Sequence, residues 1–158
     1  MTKEQIDKIC KEYNITDYTI NNDMSIDVNN NINLQLNTLE VLPIIFNKVN
    51  GSFFCELNNL NTLKYSPKYI EGNFNLAFNN IKTFEHFPEV EGDIIFDHNP
   101  IEELWFLFLD KNHIPYFNEL DIIQENGEVV ILDRLNYFLT DIGEHEIIKE
   151  QIEKYIVK

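Results

Sequence analysis

The chain has 158 residues, with 27 acidic side chains against 12 basic ones and a formal charge of −15. Hydrophobic residues at 44% and charged residues at 25% describe a folding chain rather than an acidic tail, of a length suited to one domain. With Arg134 as its single arginine, so acidic a chain argues against phosphate and base recognition, and no direct nucleic-acid binding is expected.

The charge is uneven along the sequence. Residues 1–28 carry −3, residues 29–84 carry +1, and residues 85–158 carry −13. Such a field steers cationic partners; solubility is the plainer explanation.

At the start, Thr2 to Tyr13 reads as a helix with Thr2 as N-cap and an apolar face of Ile6, Ile9, Cys10 and Tyr13. Ile20 and the run Ile26 to Val28 bracket Asn22 and Asp23, a hairpin turn. Residues 1–28 therefore form an N-terminal helix and hairpin cap.

Residues 29–104 contain a repeat. The segments Ile32–Leu42, Phe53–Leu63, Phe74–Phe84 and Ile94–Leu104 align at spacings of 21, 21 and 20 residues. They share Φ-x-Φ-x-x-Asn-x-Φ-x-x-Φ, where Φ is apolar. The alternating Φ-x-Φ is a short strand facing a core, and the last two apolar positions close each coil. Asn37, Asn58, Asn79 and Asn99 follow the strands, where a stacked ladder of amides can bond backbone groups left by the turn. Gly51, Gly72 and Gly92 precede the next strands, where a turn with φ > 0 is expected. Pro67 and Pro88 suit an extended or single-turn return segment, and Pro43 breaks that register, making the first coil irregular. The expected fold is α/β: a short parallel solenoid of about four coils, which needs caps at both ends.

Residues 105–158 supply the C-terminal α/β cap. Glu102 to Asp110 and Pro115 to Asp121 read as helical. Glu125-Asn126-Gly127-Glu128 between apolar runs signals a type I′ hairpin. Asp133 is the expected N-cap of a helix carrying Leu135, Phe138, Leu139 and Ile142. A final amphipathic helix is expected from about Glu144 to Ile156. Trp105, Phe106 and Phe108 read as core of this region.

The repeats resemble the leucine-rich repeat, whose core reads LxxLxLxxNxL. The coil from Gly51 to Pro67 is similar to those of the short leucine-rich-repeat proteins encoded by tailed phages. The segments Ile20–Val28 and Val130–Phe138 resemble their terminal elements. The resemblance implies a binding scaffold and supplies no catalytic residues.

Cys10 and Cys55 sit in apolar settings without a CxxC, the pattern of reduced core thiols in a cytosolic protein. The start Met1-Thr-Lys-Glu-Gln-Ile is unlike a secretion signal, and the longest apolar run, Leu104–Leu109, is far too short to span a bilayer. These readings predict a cytoplasmic protein that does not bind membranes.

No metal site is expected, because His86, His98, His113 and His145 fall in no HxH or HExxH spacing. Ser25, Ser52 and Ser66 lack the GxSxG of a nucleophile elbow, and no glycine-rich loop could cradle phosphates. No enzyme and no cofactor are predicted.

The strands offer a binding face instead. Their outward positions are Asn31, Ser52, Asn73 and Asp93, then Asn33, Phe54, Asn75 and Ile95, then Gln35, Glu56, Ala77 and Asp97. Phe54 and Ile95 are apolar among polar neighbours, and two readings stand side by side: exposed anchors for a protein partner, or side chains covered by a neighbouring cap element. Glu56, Glu89, Glu91, Asp93, Asp97, Glu102 and Glu103 make a candidate acidic surface for a protein partner with a basic face. The expected function is a non-catalytic protein-binding module. Specifically, it would be a phage or mobile-element inhibitor of a host nucleic-acid-binding defence enzyme, such as a CRISPR effector or restriction nuclease. The alternative is a structural or adhesion-type scaffold, such as a virion component, binding through the strand face.

Overall fold

A computed structural model describes all 158 residues. The chain divides into two compact units, residues 1–80 with 86–99 and residues 81–85 with 100–158.

The first unit opens with helix α1 (Lys3–Glu12), which has the expected cap. The Thr2 hydroxyl accepts from the Gln5 N–H at 3.3 Å, while the Gln5 side chain accepts from the Thr2 N–H at 2.8 Å. Ile6 and Cys10 are buried. Strands β1 (Tyr18–Ile20) and β2 (Ile26–Val28) pair antiparallel, as the sequence predicts. Their turn is held by Asp23, which accepts from the N–H and hydroxyl of Ser25.

From there the chain winds into a parallel β-solenoid of about three turns. Strands β3 (Ile32–Asn33), β5 (Phe53–Phe54), β7 (Phe74–Asn75) and β9 (Ile94–Ile95) form one sheet. Strands β4 (Phe46–Val49), β6 (Tyr69–Ile70) and β8 (Glu89–Val90) extend the β1–β2 hairpin into another. The expectation of about four coils is corrected, because after Asn99 the chain belongs to the second unit. The return segments after Pro67 and Pro88 are extended enough to pair, so each turn contributes two strands. Phe46 donates its N–H to the Tyr65 carbonyl at 3.0 Å. In the next coils Pro67 and Pro88 occupy its position and have no N–H to give, which accounts for β6 and β8 being shorter than β4.

The solenoid core is a file of aromatic rings in edge contact. Phe46, Phe53, Phe74, Phe87 and Phe96 follow one another at centroid distances of 5.0 to 6.4 Å. The glycines differ from expectation. None of Gly51, Gly72 and Gly92 has positive φ. Each is instead where consecutive coils touch: a Cβ on Gly72 would lie 2.5 Å from Ser52 Oγ and 2.8 Å from the Gly51 carbonyl carbon.

The second unit contains α2 (Glu102–Trp105), α3 (Ile114–Glu119), β10 (Ile123–Gln124), β11 (Val129–Val130), α4 (Leu132–Asp141) and β12 (Ile156–Val157). Its core gathers Phe84, Phe108, Phe117 and Phe138, with Trp105 against Phe108, but Phe106 is exposed. The hairpin between β10 and β11 closes over four residues rather than a two-residue turn, with positive φ at Glu125, Asn126 and Gly127. Helix α4 starts earlier than predicted, so Ile131 is its N-cap and Asp133 lies in the first turn, where its charge suits the helix dipole.

No helix forms from Glu144 to Ile156, apart from a short 3-10 turn at Lys149–Gln151. Asn136 holds the chain extended there, its side chain donating to the Ile147 carbonyl and accepting from the Ile147 N–H. The end of the chain then pairs with β11 as a parallel third strand, Ile156 and Lys158 donating to Glu128 and Val130. Open hydrogen-bonding capacity on β11 outweighs a helical pattern written largely in β-branched residues.

Candidate protein-docking surface

In the solenoid, the asparagines that follow the strands pair polar groups of their own coil with those of the neighbouring coil. Asn58 donates to the carbonyls of Leu34 (2.8 Å) and Cys55 (3.0 Å), and accepts from the N–H groups of Asn37 and Leu39. Asn79 donates to Cys55 and Leu76 and accepts from the Leu60 N–H; Asn99 donates to Leu76 and Phe96. The carbonyls of Cys55 and Leu76 thus each receive two amides. Asn37, in the first coil, is exposed, and its side-chain amide donates only to Gln35 within its own coil. A second ladder lies at the strand starts, where Asn31, Ser52 and Asn73 accept from the N–H groups of Ser52, Asn73 and Asp93.

These ladders fix the outward face of the β3–β5–β7–β9 sheet. Phe54 is half-buried and Ile95 is 40% exposed, with Asn75 in register between them. Glu56 and Asp97 flank the small, buried Ala77. One oxygen of Glu56, Oε2, is buried without a hydrogen-bond partner. Behind it Cys55 is fully enclosed, and burial first, then the Glu56 charge, pushes its thiol far up.

Sequence reasoning missed the residues that make this face distinctive. Leu36, Leu57, Phe78 and His98 immediately precede the ladder asparagines, and all four are left-handed, with φ between 56° and 60°. Their N–H groups continue the sheet ladder, Leu36 to Glu56, Leu57 to Ala77 and Phe78 to Asp97. The left-handed residue swings the chain out of the strand so that the following Asn turns inward, which also throws its own side chain outward. Leu36 is 70% exposed, Leu57 45% and Phe78 50%, and His98 stacks on Phe78 at 4.2 Å. The signal was available in the sequence as Leu, Leu, Phe and His in the slot before each Asn.

No protein-family model, curated protein or solved structure matches the chain.

Within the first unit the candidate acidic residues divide between the two sheets and the turn that joins them. Glu89 faces outward from the other sheet, and Glu91 and Asp93 lie in the turn between β8 and β9. Glu91 accepts from the Tyr69 hydroxyl at 2.5 Å, which pushes the tyrosine up to about 12. Glu102 and Glu103 belong to the second unit. There the Glu103 carboxylate accepts the N–H groups of Glu153 (2.7 Å) and Lys154 (2.9 Å), a structural engagement. Counted by unit, the charge is also more even than along the sequence. The first unit has 13 acidic and 6 basic residues, net −7; the second has 14 and 6, net −8.

No helix is long and apolar enough to cross a membrane. Cys10 and Cys55 are buried and unpaired, and the four histidines form no cluster with other ligating side chains.

Proposed function

We propose that the chain is a non-catalytic, leucine-rich-repeat-type binding module that holds a protein segment along Leu36, Leu57, Phe78 and His98 and the adjoining face of Phe54, Glu56, Ile95 and Asp97. One observation carries this reading: large apolar side chains stand exposed at left-handed positions. A non-glycine residue there costs about 1–2 kcal/mol, less for Asn. A side chain left 45–70% exposed, as Leu36, Leu57 and Phe78 are, returns only part of that through burial. The fold alone would be served as well or better by Asn or Gly, so the side chains themselves are what is selected. The unpaired Oε2 of Glu56 and the exposed Asp97 call for a lysine or arginine on the partner.

The test is affinity capture from a candidate host with the wild-type chain and with a Leu57→Asn, Phe78→Asn double variant. Asn accepts the left-handed conformation, so the variant keeps its fold. The proposal expects a specific protein to be retained by the wild type and lost by the variant at an unchanged unfolding midpoint. Equal capture by both chains refutes it, as does a variant that is strongly destabilised.

A second reading, an acidic inhibitor of a nucleic-acid-binding defence enzyme, draws support from the net −8 carried on the 64 residues of the second unit. It differs in expecting capture that falls steeply with salt and persists in the double variant.

A further inference from the structure

At the start of the β4–β6–β8 sheet the same repeat slot is filled by Ile45, Ser66 and Phe87 in successive coils, 21 residues apart. Around Ser66 opens a groove of about 480 Å³, whose walls include Lys64, Tyr65, Lys68, His86 and Phe87. Three features of it are unexplained by folding.

First, the groove concentrates positive charge in a chain of net −15. It holds two of the chain's lysines with a histidine, and none of the three is in an ion pair. Lys64 Nζ lies 5.1 Å above the ring of Tyr65. Lys68 feels the charge of Asp23, but that carboxylate is already committed to Ser25 at 2.6 Å. Second, the Ser66 hydroxyl is buried and has no hydrogen-bond partner, in a slot where the coils on both sides carry apolar side chains. An orphaned buried hydroxyl costs about 1–3 kcal/mol, which Ala or Val in this slot would avoid. Third, Tyr65 is left-handed at φ 75°, a conformation that a bulky aromatic residue adopts only at a cost.

We propose that this groove binds a small organic anion with a flat apolar body, an aryl phosphate or aryl carboxylate. The body lies between the Tyr65 and Phe87 side of the groove and Ile45. The anion sits within reach of Lys64, Lys68 and His86, and the Ser66 hydroxyl donates to it. This site is on the other sheet from the docking surface and does not depend on it.

The test uses the full-length chain, with amide chemical shifts followed by NMR during titration with phenyl phosphate, benzoate, inorganic phosphate and benzyl alcohol. Phenyl phosphate or benzoate is expected to give saturable shifts confined to residues 44–46, 64–68 and 86–87, the tighter of the two naming the anion. Inorganic phosphate, lacking the apolar body, and benzyl alcohol, lacking the charge, are each expected to bind at least about tenfold more weakly. Lys64→Gln and Lys68→Gln should each weaken binding about threefold or more, the loss of one charge-assisted contact. Ser66→Ala is the deciding variant: it should weaken binding while raising the unfolding midpoint, because the orphaned hydroxyl is gone. The proposal is overturned if neither aryl anion gives saturable shifts, if benzyl alcohol binds as tightly, or if the three variants bind like the wild type.

Discussion

The amide ladder makes a demanding prediction because its carbonyls are shared. In Asn79→Ala the Leu60 N–H, paired with Asn79 Oδ1 at 2.9 Å, is left buried and alone. The carbonyls of Cys55 and Leu76 each lose one donor but keep another, from Asn58 and Asn99. One orphaned N–H at about 1–3 kcal/mol and two weakened carbonyl contacts at about 0.5 kcal/mol each give a loss of about 2–4 kcal/mol. That is a large share of a typical stability of about 5–15 kcal/mol. Asn37→Ala removes only an exposed bond to Gln35 and should cost under about 1 kcal/mol. In the double variant Asn58→Ala, Asn79→Ala the Cys55 carbonyl loses both amides, so the combined loss should exceed the sum of the singles by about 1 kcal/mol or more. Urea unfolding followed by circular dichroism measures these values, while fluorescence of Trp105, the only tryptophan, reports the second unit separately. Additive losses, or an Asn37→Ala as costly as Asn79→Ala, would refute the ladder as described.

Gly72→Ala should destabilise the first unit by about 2 kcal/mol or more through overpacking against Gly51 and Ser52, whereas Gly143→Ala, open to solvent at φ 87°, should cost only about 1 kcal/mol of backbone strain. Both are read from urea unfolding. Cys55, whose thiol burial holds in the neutral form, should resist a thiol reagent at pH 8 until the solenoid unfolds; labelling at the rate of a free cysteine would contradict its enclosure. The Asp121 carboxyl is held below its ordinary 3.8, chiefly by the Gln124 amide and then by Arg134. Because its folded value is depressed, its contribution is complete above 3.8 and fades as pH falls through the folded value. Arg134→Gln should move the carboxyl titration upward by NMR, and an unmoved titration would remove Arg134 as a cause.

The solenoid was legible because its signals are redundant: five positions recur in Ile32–Leu42, Phe53–Leu63, Phe74–Phe84 and Ile94–Leu104, and the strand positions and the Asn of every copy lie in the first unit. Where the reading failed, the deciding partner was distant in sequence. Phe84 fits the repeat pattern perfectly yet belongs to the second unit, where it meets Phe108 and Phe117. Ile147 to Val157 carries a helix-like spacing, but Asn136 and β11 offer that segment an extended alternative. Glycine was read for its φ when the need was for contact with the next coil. Grouping the acids by sequence distance could not reveal that Glu89 and Asp97 leave the core on different sheets, or that Glu103 is occupied by backbone N–H groups.

Left-handed residues show how the molecule separates folding from recognition. The turn out of each β3–β5–β7–β9 strand uses a positive-φ residue so that the next Asn can point inward, and Asn or Gly would meet that need at least cost. This chain places Leu36, Leu57, Phe78 and His98 there instead, and pays in strain and in exposed apolar surface. Elsewhere it is frugal, pairing nearly every released polar group through two ladders and filling its core with interlocking phenylalanines. Other non-glycine residues are left-handed too, Thr38, Tyr65, His86 and Leu109 among them. Only Leu36, Leu57, Phe78 and His98 recur at one repeat position with large outward side chains in four successive repeats, which marks that face as serving something other than the fold. The same reasoning applies to Ser66, a single hydroxyl in an otherwise apolar slot. The two breaches lie on different sheets, so substitutions at one should leave binding at the other intact.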